Sequence, residues 1–159
     1  MYGESPSSPE YLIKAAFIYN FSMFVEWPED AFELPDSPMV IGIVGQDPFG
    51  PAIDRAVEDK KIRGRRIVVK RLHWSEQLKE CHLLFVASSE AARMGQLDHL
   101  VGGRPVLTIG ETPAFAREGG IISFVLEEKK VRFEINTEAA KHANLNLSSK
   151  LLSLARIVR

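Results

Sequence analysis

Residues 119–136 read Gly-Gly-Ile-Ile-Ser-Phe-Val-Leu-Glu-Glu-Lys-Lys-Val-Arg-Phe-Glu-Ile-Asn, and this stretch decides the fold. Its second half alternates apolar and polar residues, with Val131, Phe133 and Ile135 on one face of a half-buried strand. Its first half is apolar on both faces except at Ser123, which indicates a strand deeper in a sheet. The charged residues between the halves predict a turn, and the whole stretch therefore predicts an antiparallel hairpin.

Short apolar runs alternate with helical patterns in the sequence before the hairpin. This alternation is typical of parallel strands joined by crossover helices. The predicted fold is α/β: a three-layer α/β/α sandwich with a mostly parallel, doubly wound sheet and an antiparallel C-terminal hairpin. A last helix is predicted over residues 147–159. The strands are predicted at residues 39–45, 67–72, 82–87 and 105–110.

The length and composition fit one globular domain. The chain has 159 residues, of which 45% are hydrophobic and 26% charged. The net charge of −1 argues against nucleic-acid binding by general electrostatic attraction. No apolar run approaches the ~18 residues of a membrane span, so we expect no membrane insertion. We expect a disordered Pro- and Ser-rich leader at residues 1–10, followed by a single domain over residues 11–159.

The first helix is predicted from Pro9 or Glu10 to Trp27, because Pro28 disfavours helix at the preceding residue. Apolar side chains cover nearly its whole circumference. Such a helix is either buried on all sides or shared with a partner. We expect part of it to meet another chain, with Tyr19, Phe24 and Trp27 as aromatic anchors. A central core helix is the alternative.

The polar face of the hairpin's outer strand carries Arg132, Glu134 and Asn136. These residues are either an ordinary solvated sheet face with cross-strand ion pairs or part of a partner or dimer interface. Cys81, the only cysteine, rules out an internal disulfide. It is either a small buried hydrophobe or a redox-active thiol, and the sequence leaves its role open.

Catalytic and metal-binding patterns are not found in the sequence. No histidine pairs with another ligand at metal spacing, and no nucleophile elbow or triad pattern occurs. We therefore predict no enzyme activity, no cofactor and no metal. The alternative function is small-molecule sensing in a crevice at the carboxyl ends of the parallel strands. Gly45, Gln46, Ser88 and Glu111 would line that crevice.

Several stretches resemble one known family. Residues 14–21, followed by Phe24, Glu26, Trp27 and Pro28, are similar to its opening. Further similar stretches are 81–85, 106–110, 115–122, 131–136 and 147–155. Their order and spacing resemble the YfiR family over nearly the whole chain, from about Tyr11 to Val158.

The resemblance implies a non-enzymatic α/β domain secreted to the bacterial periplasm, with any signal peptide already removed. It implies that the domain represses the periplasmic sensor of a membrane-bound diguanylate cyclase, and so tunes cyclic di-GMP and biofilm formation. A membrane-bound sensor kinase is the other signalling partner that we expect from the resemblance. The resemblance also implies a homodimer.

Overall fold

The computed structural model describes residues 8–158, and its central element is an eight-stranded sheet. The strands are β2 Met39–Val44, β3 Lys61–Ile62, β4 Arg65–Leu72, β5 Leu83–Val86, β6 Leu107–Gly110, β7 Ile122–Glu127, β8 Lys130–Asn136 and β10 Arg156–Val158. Their order across the sheet is β10-β8-β7-β6-β5-β2-β4-β3, in which five neighbouring pairs are parallel and two, β7/β8 and β3/β4, are antiparallel. The predicted mostly parallel sheet is confirmed.

Helices and short turns connect these strands. The α-helices are α1 Pro9–Phe24, α2 Ala52–Val57, α3 Leu97–Val101, α4 Thr137–His142 and α5 Ser149–Leu154. The 3-10 helices are Glu29–Ala31, Glu76–Glu80, Ser88–Gln96 and Ala116–Glu118. A second, two-stranded antiparallel sheet joins β1 Val25–Glu26 to β9 Asn146–Leu147.

Hydrophobic side chains cover both faces of the sheet, which makes the three layers. Because neighbouring strand residues point to opposite faces, Ile43 and Phe85 join the core under α1, while Val44 and Val86 join the other core. The first core is the larger and contains the inner side chains of α1 and α2. The second lies beneath α3 and the 3-10 helices before it.

The hairpin is confirmed with the register Glu127 to Lys130. Its two turn residues, Glu128 and Lys129, have φ angles of 50° and 68°. A two-residue turn with positive φ at both positions matches the twist of the flanking strands, even without glycine. Residues 122–124 of the first strand are buried, as predicted from their apolar pattern.

The polar face of β8 is less solvated than the alternation suggested. Arg132 is exposed, but Glu134 and Asn136 are buried. The Glu134 carboxylate pairs with Arg117 at 3.3 Å and with Arg156 at 3.5 Å. The Asn136 amide donates to the Ala116 carbonyl, and its oxygen accepts from the Ala139 N–H. The interpretation as a solvated face is therefore wrong at these two positions, because neighbouring elements cover them.

Two predicted helices end earlier in the structure than the sequence suggested. The first helix stops at Phe24 rather than Trp27, because Val25 and Glu26 extend to pair with β9. The predicted terminal helix ends at Leu154, after which β10 pairs in parallel with β8. Of the predicted leader, residues 1–7 lie outside the described residues. Ser8 caps α1, with its side chain accepting from the Tyr11 N–H.

His82 connects the linker after α1 to the start of the sheet. Its Nδ1 accepts the Val40 N–H at 3.0 Å, so the neutral ring carries its proton on Nε2. Nε2 lies 2.9 Å from the Ala31 carbonyl, and the ring stacks on Phe32. Burial lowers the pKa of His82, and the charge of Arg65 lowers it further. Protonation of Nδ1 would also remove the acceptor that Val40 needs.

This environment predicts a stability that falls in mild acid. The unfolded chain binds a proton at His82 near pH 6.5, while the folded chain resists it to lower pH. The stabilisation is complete above about pH 6.5 and is lost as the pH falls toward the folded-state value. Urea titrations at pH 7.5 and 5.5 measure the free energy of unfolding of the wild type and of His82→Gln. The difference between the two proteins should be smaller at pH 5.5. The exposed His73, changed to Gln, is the control, and a His82 gap independent of pH would contradict this assignment.

Candidate functional site

The outer face of α1 presents apolar side chains to solvent. The face, called the α1 stripe below, consists of Leu12, Ile13, Ala16, Asn20 and Met23. Leu12 is 50% exposed, Ile13 47% and Met23 37%. Large apolar side chains this exposed on one helix are typical of an interaction site when they form a contiguous patch. The patch is contiguous here because its members recur at the helical period.

The spacing of the α1 stripe suits contact with another helix. Ile13, Ala16, Asn20 and Met23 follow one another at steps of three, four and three residues, the steps of a coiled-coil seam. The small side chain of Ala16 lets a partner backbone approach closely. Asn20 is polar, and a polar residue in such a seam favours one register over others at some cost in affinity. The stripe spans about 16 Å of helix, or three turns.

The aromatic residues predicted as anchors border the α1 stripe. Tyr19 lies on one side of it and Phe24 on the other, and both are half-buried. The Lys60 ammonium lies 5.4 Å from the Tyr19 ring centroid, and that of Lys150 lies 5.6 Å from the Phe24 ring. Both contacts are within the range of cation–π attraction. Their role as interface anchors stays a prediction, since both rings already have contacts within the chain.

Trp27 follows β1 and connects the linker to the sheet. Its indole N–H donates to the His82 carbonyl at 3.0 Å, and its ring is half-buried. Sequence reasoning named the three aromatics rather than the α1 stripe. A helix that is apolar all round gives no signal of which side faces outward, and only its packing on the sheet decides this.

The first turns of α1 are joined to the sheet by a buried ion pair. The Lys14 ammonium lies 2.7 Å from one oxygen of Glu111, and the Tyr11 hydroxyl donates to the other at 2.9 Å. Glu10 accepts from Lys14 at 2.5 Å. Only 4% of the Lys14 side chain and 9% of Glu111 are exposed. Burial, followed by the hydrogen bond to Glu111, raises the pKa of Tyr11.

The residues predicted to line a ligand crevice lie at the carboxyl edge of the sheet, as expected from the parallel topology. Gly45 has a φ of 96°, and a Cβ there would lie 2.6 Å from the Ser89 hydroxyl oxygen. The Gln46 N–H donates to that same hydroxyl, so the two loops touch. Ser88 is exposed at the start of its 3-10 helix. Because Glu111 is engaged by α1, a ligand role for the four residues stays a prediction.

Within residues 8–158, no group of three or more His, Cys, Asp or Glu side chains is arranged to hold a metal ion. Cys81 is buried, and burial raises the pKa of its thiol to about 11, which keeps it protonated at neutral pH. None of the helices in this part of the chain has both the length and the apolar character needed to span a bilayer.

The fold and its surface define a class: an α/β sandwich in which one helix presents an apolar face to solvent. The chain belongs to the YfiR/HmsC-like family, whose sequence profile matches residues 11–156. This family consists of regulatory, non-catalytic periplasmic domains of signalling systems. None of the curated proteins matches the chain significantly.

The buried pair predicts a large loss of stability when one partner is removed. Lys14→Met should lower the free energy of unfolding by about 3 kcal/mol, because Glu111 then keeps a buried charge without its ammonium. Lys14→Met combined with Glu111→Gln should cost clearly less than the sum of the single changes.

Urea denaturation of the four proteins in this cycle measures both effects. Lys141→Met is the matched control, since its ammonium lies 3.7 Å from Glu138 on an exposed helix. Lys141→Met should change the free energy of unfolding by no more than about 0.5 kcal/mol. The buried coupling would be contradicted if Lys14→Met and Lys141→Met lowered the free energy of unfolding equally. It would also be contradicted if the effects of Lys14→Met and Glu111→Gln simply added in the double variant.

Proposed function

We propose that this protein is a periplasmic repressor that binds the sensor domain of a membrane-bound signalling enzyme, most specifically a diguanylate cyclase. The family assignment supports regulation of cyclic di-GMP signalling by a domain without catalytic activity. The single structural observation that carries the proposal is the α1 stripe. Exposed apolar side chains that form one continuous patch are typical of a protein–protein contact site.

Repression then operates through the conformational equilibrium of the partner. A bound repressor shifts a two-state enzyme only by the difference between its affinities for the two states. Couplings of this kind are about 1–3 kcal/mol, equivalent to a change of about 5-fold to 150-fold in the equilibrium. In this proposal the α1 stripe contacts a helix of the sensor domain while that domain is in its inactive state.

The α1 stripe also provides a route to the homodimer. In an antiparallel pair of α1 helices related by a twofold axis, Ile13 of one copy would face the region of Met23 of the other. In that register Ala16 of each copy faces Asn20 of the other, and the small Ala16 side chain leaves room for the amide. A dimer formed in this way competes with the signalling partner for one surface. Free repressor would then be dimeric and bound repressor would expose α1 to the sensor.

Charged substitution of the α1 stripe should abolish repression without unfolding the protein. Deleting the gene should raise cellular cyclic di-GMP and biofilm formation, and wild-type protein should restore both. Ile13→Asp with Met23→Asp should fail to restore them, because a carboxylate cannot be desolvated in an apolar contact. Far-UV circular dichroism should still show a folded protein, since both side chains are exposed in the monomer, and the melting temperature should fall by no more than the loss of a dimer accounts for.

Leu34→Asp is the matched control, because Leu34 is 60% exposed and lies outside the α1 stripe, in the linker that precedes β2. It should restore repression fully. Unchanged cyclic di-GMP after gene deletion would contradict the proposed function. Full restoration by the double Asp variant would instead reject the α1 stripe as the docking surface. Light scattering of the same variants reports whether the stripe also carries the dimer.

A further inference from the structure

The strand β4 has an open edge over most of its length. One side of β4 pairs with β2 along residues 67–72, while the other side pairs with β3 only at Arg65 and Arg66. β3 is two residues long, and the residues before it do not extend the strand, because the chain comes from α2 through Asp59, whose φ is 58°. Residues 67–72 of β4 therefore have no strand on their outer side in the part of the chain that the structure describes.

The open edge has regularly spaced backbone donors and acceptors. The Leu72 carbonyl points inward, since it accepts the Gly45 N–H beyond the end of β2. Alternate residues of a strand next to a parallel neighbour direct their N–H and C=O groups to opposite sides. Ile67, Val69 and Arg71 therefore direct these groups outward. Such a row is a template for pairing with another extended chain.

The two faces beside this edge differ in chemistry. On the face under α2, Ile67 and Val69 are half-buried and form part of the wall of a groove of about 1410 Å³. Arg66 and Lys70, which alternate with these residues along β4, are exposed and have no ion pair among residues 8–158, and Arg66 also borders the groove. Arg71 differs from them, because it is already paired with Asp47 at 2.9 Å and with Asp54 at 2.7 Å.

We propose that the β4 edge binds an extended segment of a partner protein in which acidic and apolar residues alternate. The segment adds a strand outside β4 and pairs with the backbone of Ile67, Val69 and Arg71. Its acidic side chains face Arg66 and Lys70, while its apolar side chains lie along Ile67 and Val69. Strand addition of this kind takes affinity from main-chain hydrogen bonds and specificity from the alternate side chains.

Pairing between two copies of β4 is disfavoured by charge. In an antiparallel pair centred on Val68, Arg66 lies directly opposite Lys70 of the other copy. In a pair centred on Val69, Lys70 lies diagonally across from its own counterpart. Like charges at directly opposite positions destabilise a sheet, and long side chains also reach the diagonal positions. The same basic residues that block self-association therefore select an acidic partner strand.

A peptide assay tests this inference without any signalling enzyme, so its outcome is independent of the proposed function. The probe is a labelled decapeptide in which Glu alternates with Val, acetylated and amidated at its ends. Fluorescence anisotropy should show that it binds the wild-type protein. A peptide with Lys in place of Glu should bind at least about tenfold more weakly, as should one with N-methyl groups on alternate amides.

Charge reversal supplies the matched protein variants. Arg66→Glu with Lys70→Glu should weaken binding of the Glu peptide about tenfold and strengthen binding of the Lys peptide. Arg104→Glu with Lys141→Glu changes the net charge equally at exposed positions elsewhere, and should leave both affinities unchanged. Bound Glu peptide should also slow hydrogen exchange at the amides of Ile67, Val69 and Arg71.

Each of the following results would overturn the inference. The first is no binding of the Glu peptide, or equal binding by the charge-reversed protein. The second is exchange protection in α1 rather than in β4. The third is a dimer that the Arg66→Glu, Lys70→Glu variant dissociates, since the edge would then be occupied by a second copy.

Discussion

The packing of Phe21 against the hairpin is the contact on which the rest of the arrangement depends. Its ring centroid lies 4.9 Å from that of Phe133 and 5.8 Å from that of Phe124, which are cross-strand partners in β7 and β8. Ile18, one turn earlier, is fully buried in the same core. These contacts set the rotation of α1 about its own axis. Once that rotation is set, the α1 stripe faces solvent, because a helix cannot bury all its sides against one sheet.

The buried ion pair of Lys14 and Glu111 fixes the same helix at its other end. The pair also restricts ligand binding at the carboxyl ends of the strands. Open α/β sheets bind ligands where their strands end, and Glu111 follows such an end. Both oxygens of its carboxylate are hydrogen-bonded to α1. A ligand that needed this carboxylate would have to displace both Lys14 and Tyr11, and the buried Lys14 ammonium would keep only Glu10 as a carboxylate partner. The position that favours ligand binding in other sheets thus serves here to hold α1 against the sheet.

The sequence correctly predicted the elements whose structure is determined by a local pattern of apolar and polar residues. The hairpin alternates apolar and polar residues, and the buried strands are apolar runs, so neither needs information from distant residues. The end of α1 and the strand β10 were missed because each depends on a remote partner: Val25 pairs with Leu147, and Ile157 with Ile135. The α1 stripe was missed for the related reason that only tertiary packing chooses the outer side of an apolar helix.

The burial of Glu134 shows the limit of the alternation rule in the candidate interface. Its position on the polar face of β8 predicted exposure, but Arg117 and Arg156 lie across it, from a turn before β7 and from the edge strand β10. Both arginine side chains remain more than half exposed. A carboxylate buried beneath two exposed guanidinium groups is accessible only indirectly. Any partner that docks on this face therefore meets the arginines first.

The α1 stripe and the β4 edge differ in the force that would hold a partner. Contact at the stripe removes apolar surface from water and is insensitive to salt, whereas the β4 edge combines backbone hydrogen bonds with exposed charges that salt screens. Tyr19 and Lys60 lie between the two surfaces: Tyr19 borders the stripe, and Lys60 covers its ring and lines the groove beside β4. A partner with a helix followed by an acidic extended segment would contact both. Added salt would then weaken such a complex to the affinity of the stripe alone, which separates the two contributions in one titration.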